Sequence, residues 1–170
     1  PIPESSPSCS PALVPKTGRT YSHATGDDGD LEKGVAWPSP RFTDNSDGTV
    51  IDNLTGLIWL KNADCFGNQR WANALTSANG LNSGECGLSD GSIEGDWRMS
   101  NIRELYSLIY FGVYLPALPN AEGTGQWSEG DPFFGVKTLY WTSTTYAKVT
   151  SEARVVYLSN GSVGNSSKLN

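Results

Sequence analysis

Two runs of acidic residues are the first places in this sequence where chemistry could reside. TGDDGD supplies Asp27, Asp28 and Asp30, and TDNSDGTVIDN supplies Asp44, Asp47 and Asp52. Clustered oxygen donors of this kind hold calcium in extracellular proteins. Neither run fits an EF-hand frame. With Gly48 or Gly29 at the sixth position, the twelfth falls on Leu54 or Val35, where a bidentate Glu is needed. Turn formation is the stronger reading of these Asp residues, so no cofactor is expected and calcium is the only candidate ion.

Acid–base and nucleophilic chemistry find little support. His23 is the one histidine, so a Ser–His or Cys–His arrangement has no second choice of base, and no HExxH or CxxC pattern supplies a catalytic metal. The carboxylate pairs Asp96 with Glu104 and Glu129 with Asp131 have the residue types for sugar hydrolysis, but read better as caps and solvated loops. No catalytic residue is assigned, and the chain reads as a non-enzyme.

The cysteines carry a firmer signal. Cys65 and Cys86 flank one predicted helix, and a disulfide closing a loop of about 20 residues would restrict the unfolded chain by roughly 3 kcal/mol. The alternative is two buried free thiols; metal ligation lacks a tetrahedral set. Cys9 is left over, in a Pro/Ser-rich stretch that leaves it accessible for an intermolecular bond or as a free thiol.

The 170 residues suit one domain. With 12 Lys and Arg against 18 Asp and Glu, the long-range field repels phosphate backbones and anionic lipid, which argues against nucleic acid as a partner. No apolar run reaches the roughly 18–20 residues that span a bilayer, so no membrane insertion is expected. The start, PIPESSPSCSPALVPKTG, lacks the basic and apolar regions of a signal peptide, as in a mature secreted form. Nineteen Gly, ten Pro and six Trp with few charges suit a turn-rich, β-rich body outside the cytoplasm.

The elements that must position any site follow from periodicity and punctuation. Residues 1–40 are Pro-, Ser- and Gly-rich and read as an extended arm; residues 41–170 form the folded domain. Phe42, Val50, Ile51, Leu57, Ile58 and Trp59, set around Asp-Gly and Thr-Gly turns, predict two or three short antiparallel strands. Trp71, Leu75, Ala78 and Leu81 have helical spacing, with Gly80 as a stop. In GDWRMSNIRELYSLI, Asn101 and Glu104 have capping-box spacing, and Ile102, Leu105, Leu108 and Ile109 share a helical face. Arg98 in that stretch is expected to pair with a carboxylate or carbonyl, and Trp97 to fill the core. A long loop, 112–139, leads to LYWTSTTYA, EARVVYLSN and GSVGNSSKL, which read as two or three late strands.

These motifs, in this order, resemble a bacterial secreted domain family named after the C-terminal domain of a Legionella collagen-like adhesin. FTDNSDGTVIDNLTGLIWLKNADCFG, GDWRMSNIRELYSLI, YWTSTTY and ARVVYLSNGSVG carry the likeness, over about residues 33–164. Met99-Ser100 stands where the family usually has Leu-Pro, and the usual finishing strand, near YVRxVR, has no counterpart after NSSKLN. The resemblance implies an α+β, C-type-lectin-like fold with two helices flanking a small twisted antiparallel sheet, on a bacterial secreted or cell-surface protein. A sheet without its closing strand implies an open edge. Together with the arm, this predicts a structural protein that self-associates as a homo-oligomer or filament, with Cys9, Leu13, Val14, Val35 and Trp37 as contact residues. The alternative is an adhesin or lectin-like module that binds a glycan or protein through loop 112–139 and the late strands. Its ligand-facing candidates are the aromatics Trp127, Phe133, Tyr140, Trp141 and Tyr146; Trp59, Trp71 and Trp97 read as core.

Overall fold

The computed structural model describes residues 14–170, so the expectations for Cys9 and Leu13 lie outside the described residues. After a short helix, α1 (Asp28–Leu31), come strands β1 (Phe42–Asp44), β2 (Thr49–Asp52) and β3 (Ile58–Leu60). They pair antiparallel in that order. Turn chemistry closes both hairpins. Between β1 and β2, Asp47 accepts from the Thr49 N–H at 2.9 Å while Gly48 takes φ +88. A Cβ at Gly48 would lie 2.4 Å from the Gly87 carbonyl oxygen, so this turn needs glycine for space as well as for conformation. Between β2 and β3, Asp52 accepts from the Leu54 N–H and the Thr55 hydroxyl.

Two helices follow. Helix α2 (Trp71–Gly80) ends at the expected glycine, and the chain then buries Leu81. No residue of α2 is itself fully buried, so it lies on the body and leaves space beneath it. Helix α3 (Ile102–Tyr106) starts with the predicted capping box: Asn101 accepts from the Arg103 and Glu104 N–H groups, and Glu104 accepts from the Asn101 N–H. It is shorter than the apolar spacing suggested. After Tyr106 the chain tightens into three-residue turns, with Leu108 N–H donating to Leu105 and Ile109 N–H to Tyr106. Leu108 and Ile109 are buried all the same, because tight turns and an α-helix both return a residue to the same face within one turn.

The late strands β4 (Leu139–Thr145), β5 (Glu152–Tyr157) and β6 (Ser162–Ser167) form a second three-stranded antiparallel sheet. The resemblance implied one small sheet; the structure divides the strands between two, with Phe42 and Val50 from the first sharing a core with Leu105, Leu118 and Val156. Residues 162–167 supply the outer strand of the late sheet, with Ser162, Val163 and Asn165 exposed.

Arg41 sits at the centre of this packing. Its guanidinium and the Asp52 carboxylate are both fully buried and joined twice, at 2.7 and 2.9 Å. It also donates to the Ser107 carbonyl at 2.9 Å and lies 4.4 Å from the Trp37 ring centroid. One side chain thus joins the first sheet, the end of α3 and the arm.

The described part of the arm is held by its own domain. Val35 exchanges backbone hydrogen bonds with Lys16 and Val14, the Trp37 indole donates to the Lys16 carbonyl, and the Phe111 N–H donates to Thr17. Trp37 packs at a tilt against Tyr110, with centroids 5.1 Å apart. Expected as an intermolecular contact, Trp37 is a contact within the chain, because the Arg41 cation and the Tyr110 ring give it partners at home. Val14 and Val35 remain exposed.

Candidate functional site

The space left under α2 is a cleft of about 900 Å³. Strand β3 and residues 62–69 form one wall, α2 the roof, residues 96–105 the far side, and β4 with its approach the floor. Its sides are indoles and aliphatic groups: Trp59, Trp97 and Trp141, with Leu81, Met99 and Leu105. A concave, mainly apolar site of this size with few polar groups is the usual form of a small-ligand site.

Three of the cleft's rings are fixed by hydrogen bonds at their polar ends. The Trp141 indole donates to the Gln69 carbonyl at 3.0 Å, and the Trp97 indole to the Ser92 hydroxyl at 3.0 Å. The Tyr140 hydroxyl donates to the Ala63 carbonyl and accepts from the Lys137 N–H. Burial pushes the Tyr140 phenol up to about 12, so at neutral pH it is a neutral anchor. The Trp59 indole N–H and the Gln69 side-chain oxygen are buried and have no partner among the described residues.

Two ion pairs line the cleft, and a further carboxylate, Asp96, stands beside them without a cationic partner. Asp64 and Lys137 approach to 2.7 Å, and Arg98 grips both oxygens of Glu104, at 2.8 and 2.5 Å. Of the two kinds of partner expected for Arg98, a carboxylate or a carbonyl, the structure supplies a carboxylate. The Arg98 hydrogen bonds hold the Glu104 carboxyl below its ordinary value of 4.5, against the opposing effect of burial. A carboxyl depressed in the folded state contributes stability above its unfolded pKa and loses it as pH falls through the folded pKa. The melting temperature of the wild type should therefore decline below about pH 4.5, more steeply than that of Glu104→Gln. Equal slopes for the two proteins between about pH 6 and pH 3 would contradict this assignment.

The ligand-facing candidates separate into two groups. Tyr140 and Trp141 line the cleft, and the buried Phe133 reaches it from the core side. Trp127 and Phe133 were expected on an open loop face, yet they serve the core: Phe133 is buried edge-on to Phe42, and the Trp127 indole donates to the Phe133 carbonyl at 3.1 Å. The long loop folds inward because these rings have more apolar area to cover than its polar residues can screen. Trp127→Ala should therefore lower stability, contrary to the expectation for an exposed ligand contact. Tyr146 lies outside the cleft, with the Arg154 guanidinium 4.2 Å from its ring centroid. Trp97, expected in the core, is a half-buried wall of the cleft.

The acidic residues have structural tasks. Asp27 caps α1 and accepts from the His23, Ala24 and Asp30 N–H groups; the His23 hydrogen bond leads in lowering its carboxyl to about 2. Asp28 meets the Thr17 hydroxyl, and Asp30 accepts from the Gly26 N–H. Asp44 pairs with Lys61 at 2.5 Å, Asp47 closes the first hairpin, and Asp52 holds Arg41. Among the described residues no three His, Cys, Asp or Glu side chains converge as a metal-binding group. Glu129 accepts from the Gly135 N–H, Asp131 from Ala121 and Asp96 from Ile93. His23 is exposed in the arm, against Arg19 and the edge of Tyr21.

Cys65 and Cys86 are bonded, their Cα atoms 5.5 Å apart. The bridge ties the 62–69 wall to the turn beyond α2. The signals for the cleft in the sequence were its rings: Trp141, named among the ligand-facing aromatics, and Trp59 and Trp97, read as core because half-burial around a hollow gives the same periodicity as full burial.

Residues 48–170 match the family model of the Lcl C-terminal domain. The matched stretch takes in α2, α3 and the whole late sheet, and leaves Arg41, β1 and the arm outside. No curated protein and no solved structure matches the chain.

Proposed function

The chain belongs to the Lcl C-terminal domain family, and on that premise we propose that it is an extracellular, non-enzymatic binding module of the adhesin type, with the α2 cleft as its ligand site. The helix and sheet arrangement is proposed to be C-type-lectin-like. The observation that carries this reading is the cleft itself: three indoles around about 900 Å³, with two ion pairs and no histidine among its lining residues. The net charge of −6 favours uncharged ligands over polyanions. Self-association through the arm ranks second, because residues 14–37 already have partners in their own domain.

Filling the cleft tests this function. Ala78 lies on α2 and lines the cavity, and Phe in its place would occupy the space a ligand needs. On an array of extracellular-matrix proteins and glycans, wild type should bind, and Ala78→Phe should lose about tenfold or more in affinity, with its melting temperature preserved. Equal binding by the two proteins would move the site elsewhere. Silence from both, with multimers in light scattering, would favour the assembly role.

A further inference from the structure

We infer that the cleft recognises a quaternary ammonium group, such as the trimethylammonium of choline, with Trp59, Trp97 and Trp141 as its walls and the Asp96 carboxylate as its counter-charge. The inference rests on the reading of the cleft as a ligand site and adds the charge and chemistry of the ligand. All three indoles are half-buried and line the cavity. The Trp97 and Trp141 N–H groups are held by Ser92 and Gln69, and the Trp59 N–H is buried out of reach. The surface that the indoles turn to the cleft is therefore ring carbon. Ring faces carry the negative part of the aromatic quadrupole and attract a cation within about 6 Å, most strongly where water is displaced.

The charges of the lining point to the same ligand. They comprise three carboxylates, Asp64, Asp96 and Glu104, against two cations, Arg98 and Lys137. Lys137 is taken up by Asp64 and Arg98 by Glu104, which leaves Asp96 as the surplus charge. Asp96 is exposed, stands next to Trp97 in the chain, and accepts from the Ile93 N–H.

Carbon walls beside one open carboxylate suit a cation that needs no hydrogen bonds. A primary ammonium is strongly hydrated and brings three N–H donors, which indole walls cannot accept. A saccharide brings hydroxyls with the same need. A quaternary ammonium has no N–H to satisfy: its methyl groups lie against the rings as apolar surface, while its charge is drawn to the ring faces and to Asp96. An anion meets a negative surplus both in the cleft and in the net charge of −6.

The test is a titration of the full chain labelled with 15N, following its six indole N–H signals. The probes are choline, its neutral isostere 3,3-dimethylbutan-1-ol, in which carbon replaces the nitrogen, and phosphocholine. Choline should shift the Trp97 and Trp141 signals and bind about tenfold or more tightly than the isostere. Its own N-methyl resonance should move upfield, as methyl groups do over ring faces. Asp96→Asn keeps an oxygen for the Ile93 N–H; it should bind choline about threefold or more weakly and the isostere as the wild type does. With the isostere weaker than both, either order of choline and phosphocholine supports the inference: tighter choline names the free ion as the source, tighter phosphocholine a group borne on a phosphate. Equal binding of choline and isostere, an N-methyl signal that does not move upfield, or choline binding untouched by Asp96→Asn overturns the inference; if the Trp97 and Trp141 signals still shift, the cleft remains a ligand site of other chemistry. No shift at any indole also overturns it, and the cleft reading then stands or falls on the Ala78→Phe array comparison.

Discussion

Asp52→Ala should cost about 3–5 kcal/mol of folding stability, the largest effect expected of any single substitution in this chain. The Arg41–Asp52 pair is fully buried, and removing one partner leaves the other as an uncompensated charge in a low-dielectric interior. Asp52 also closes the turn before β3 through Leu54 and Thr55, so the hairpin loses its clasp at the same time. Replacing both partners, as Arg41→Met with Asp52→Leu, should recover part of the loss, since a buried ion pair repays little beyond its own desolvation. Urea denaturation of the single and double variants measures both quantities. A loss under about 1 kcal/mol for Asp52→Ala would show that the pair is not buried as described.

Joint replacement of Cys65 and Cys86 by Ser should cost about 2–5 kcal/mol. The bond closes a separation of 21 residues around α2, and its stabilisation comes mainly from the freedom it removes from the unfolded chain. Reductant should lower the wild-type urea midpoint toward that of the double variant and leave the variant unchanged. Recovery of both residues as free, alkylated thiols without reductant would contradict the bridge. The variant should also loosen the 62–69 wall, since Cys65 stands in it.

Local chemistry was the part of the fold that the sequence made legible. The capping box at Asn101, the glycine stop at Gly80 and the Asp-Gly turn at Asp47 each depend on residues within four positions of one another, and each stands where spacing placed it. Long-range placement was not legible. Trp127 and Tyr140 both lie in an aromatic-rich stretch and both pack against the core, yet only Tyr140 also lines the cleft, and periodicity does not distinguish the two. The Arg41–Asp52 pair carried a faint signal, an Arg and an Asp at the facing ends of one predicted hairpin. Burial of such a pair depends on α3 and the arm arriving from 66 and 4 positions away, at Ser107 and Trp37. The pattern of α2 itself carried no sign of the hollow beneath it, because a helix that roofs a cleft and one that covers a core share an amphipathic pattern.

The most direct test of the cleft as the binding site is hydrogen exchange in the presence of a ligand from the array. The account predicts slowed exchange in peptides covering β3, residues 69–81 and residues 97–105, with the arm unchanged. Protection confined to residues 14–37 or 162–167 would contradict it and place the interaction at the arm or the sheet edge.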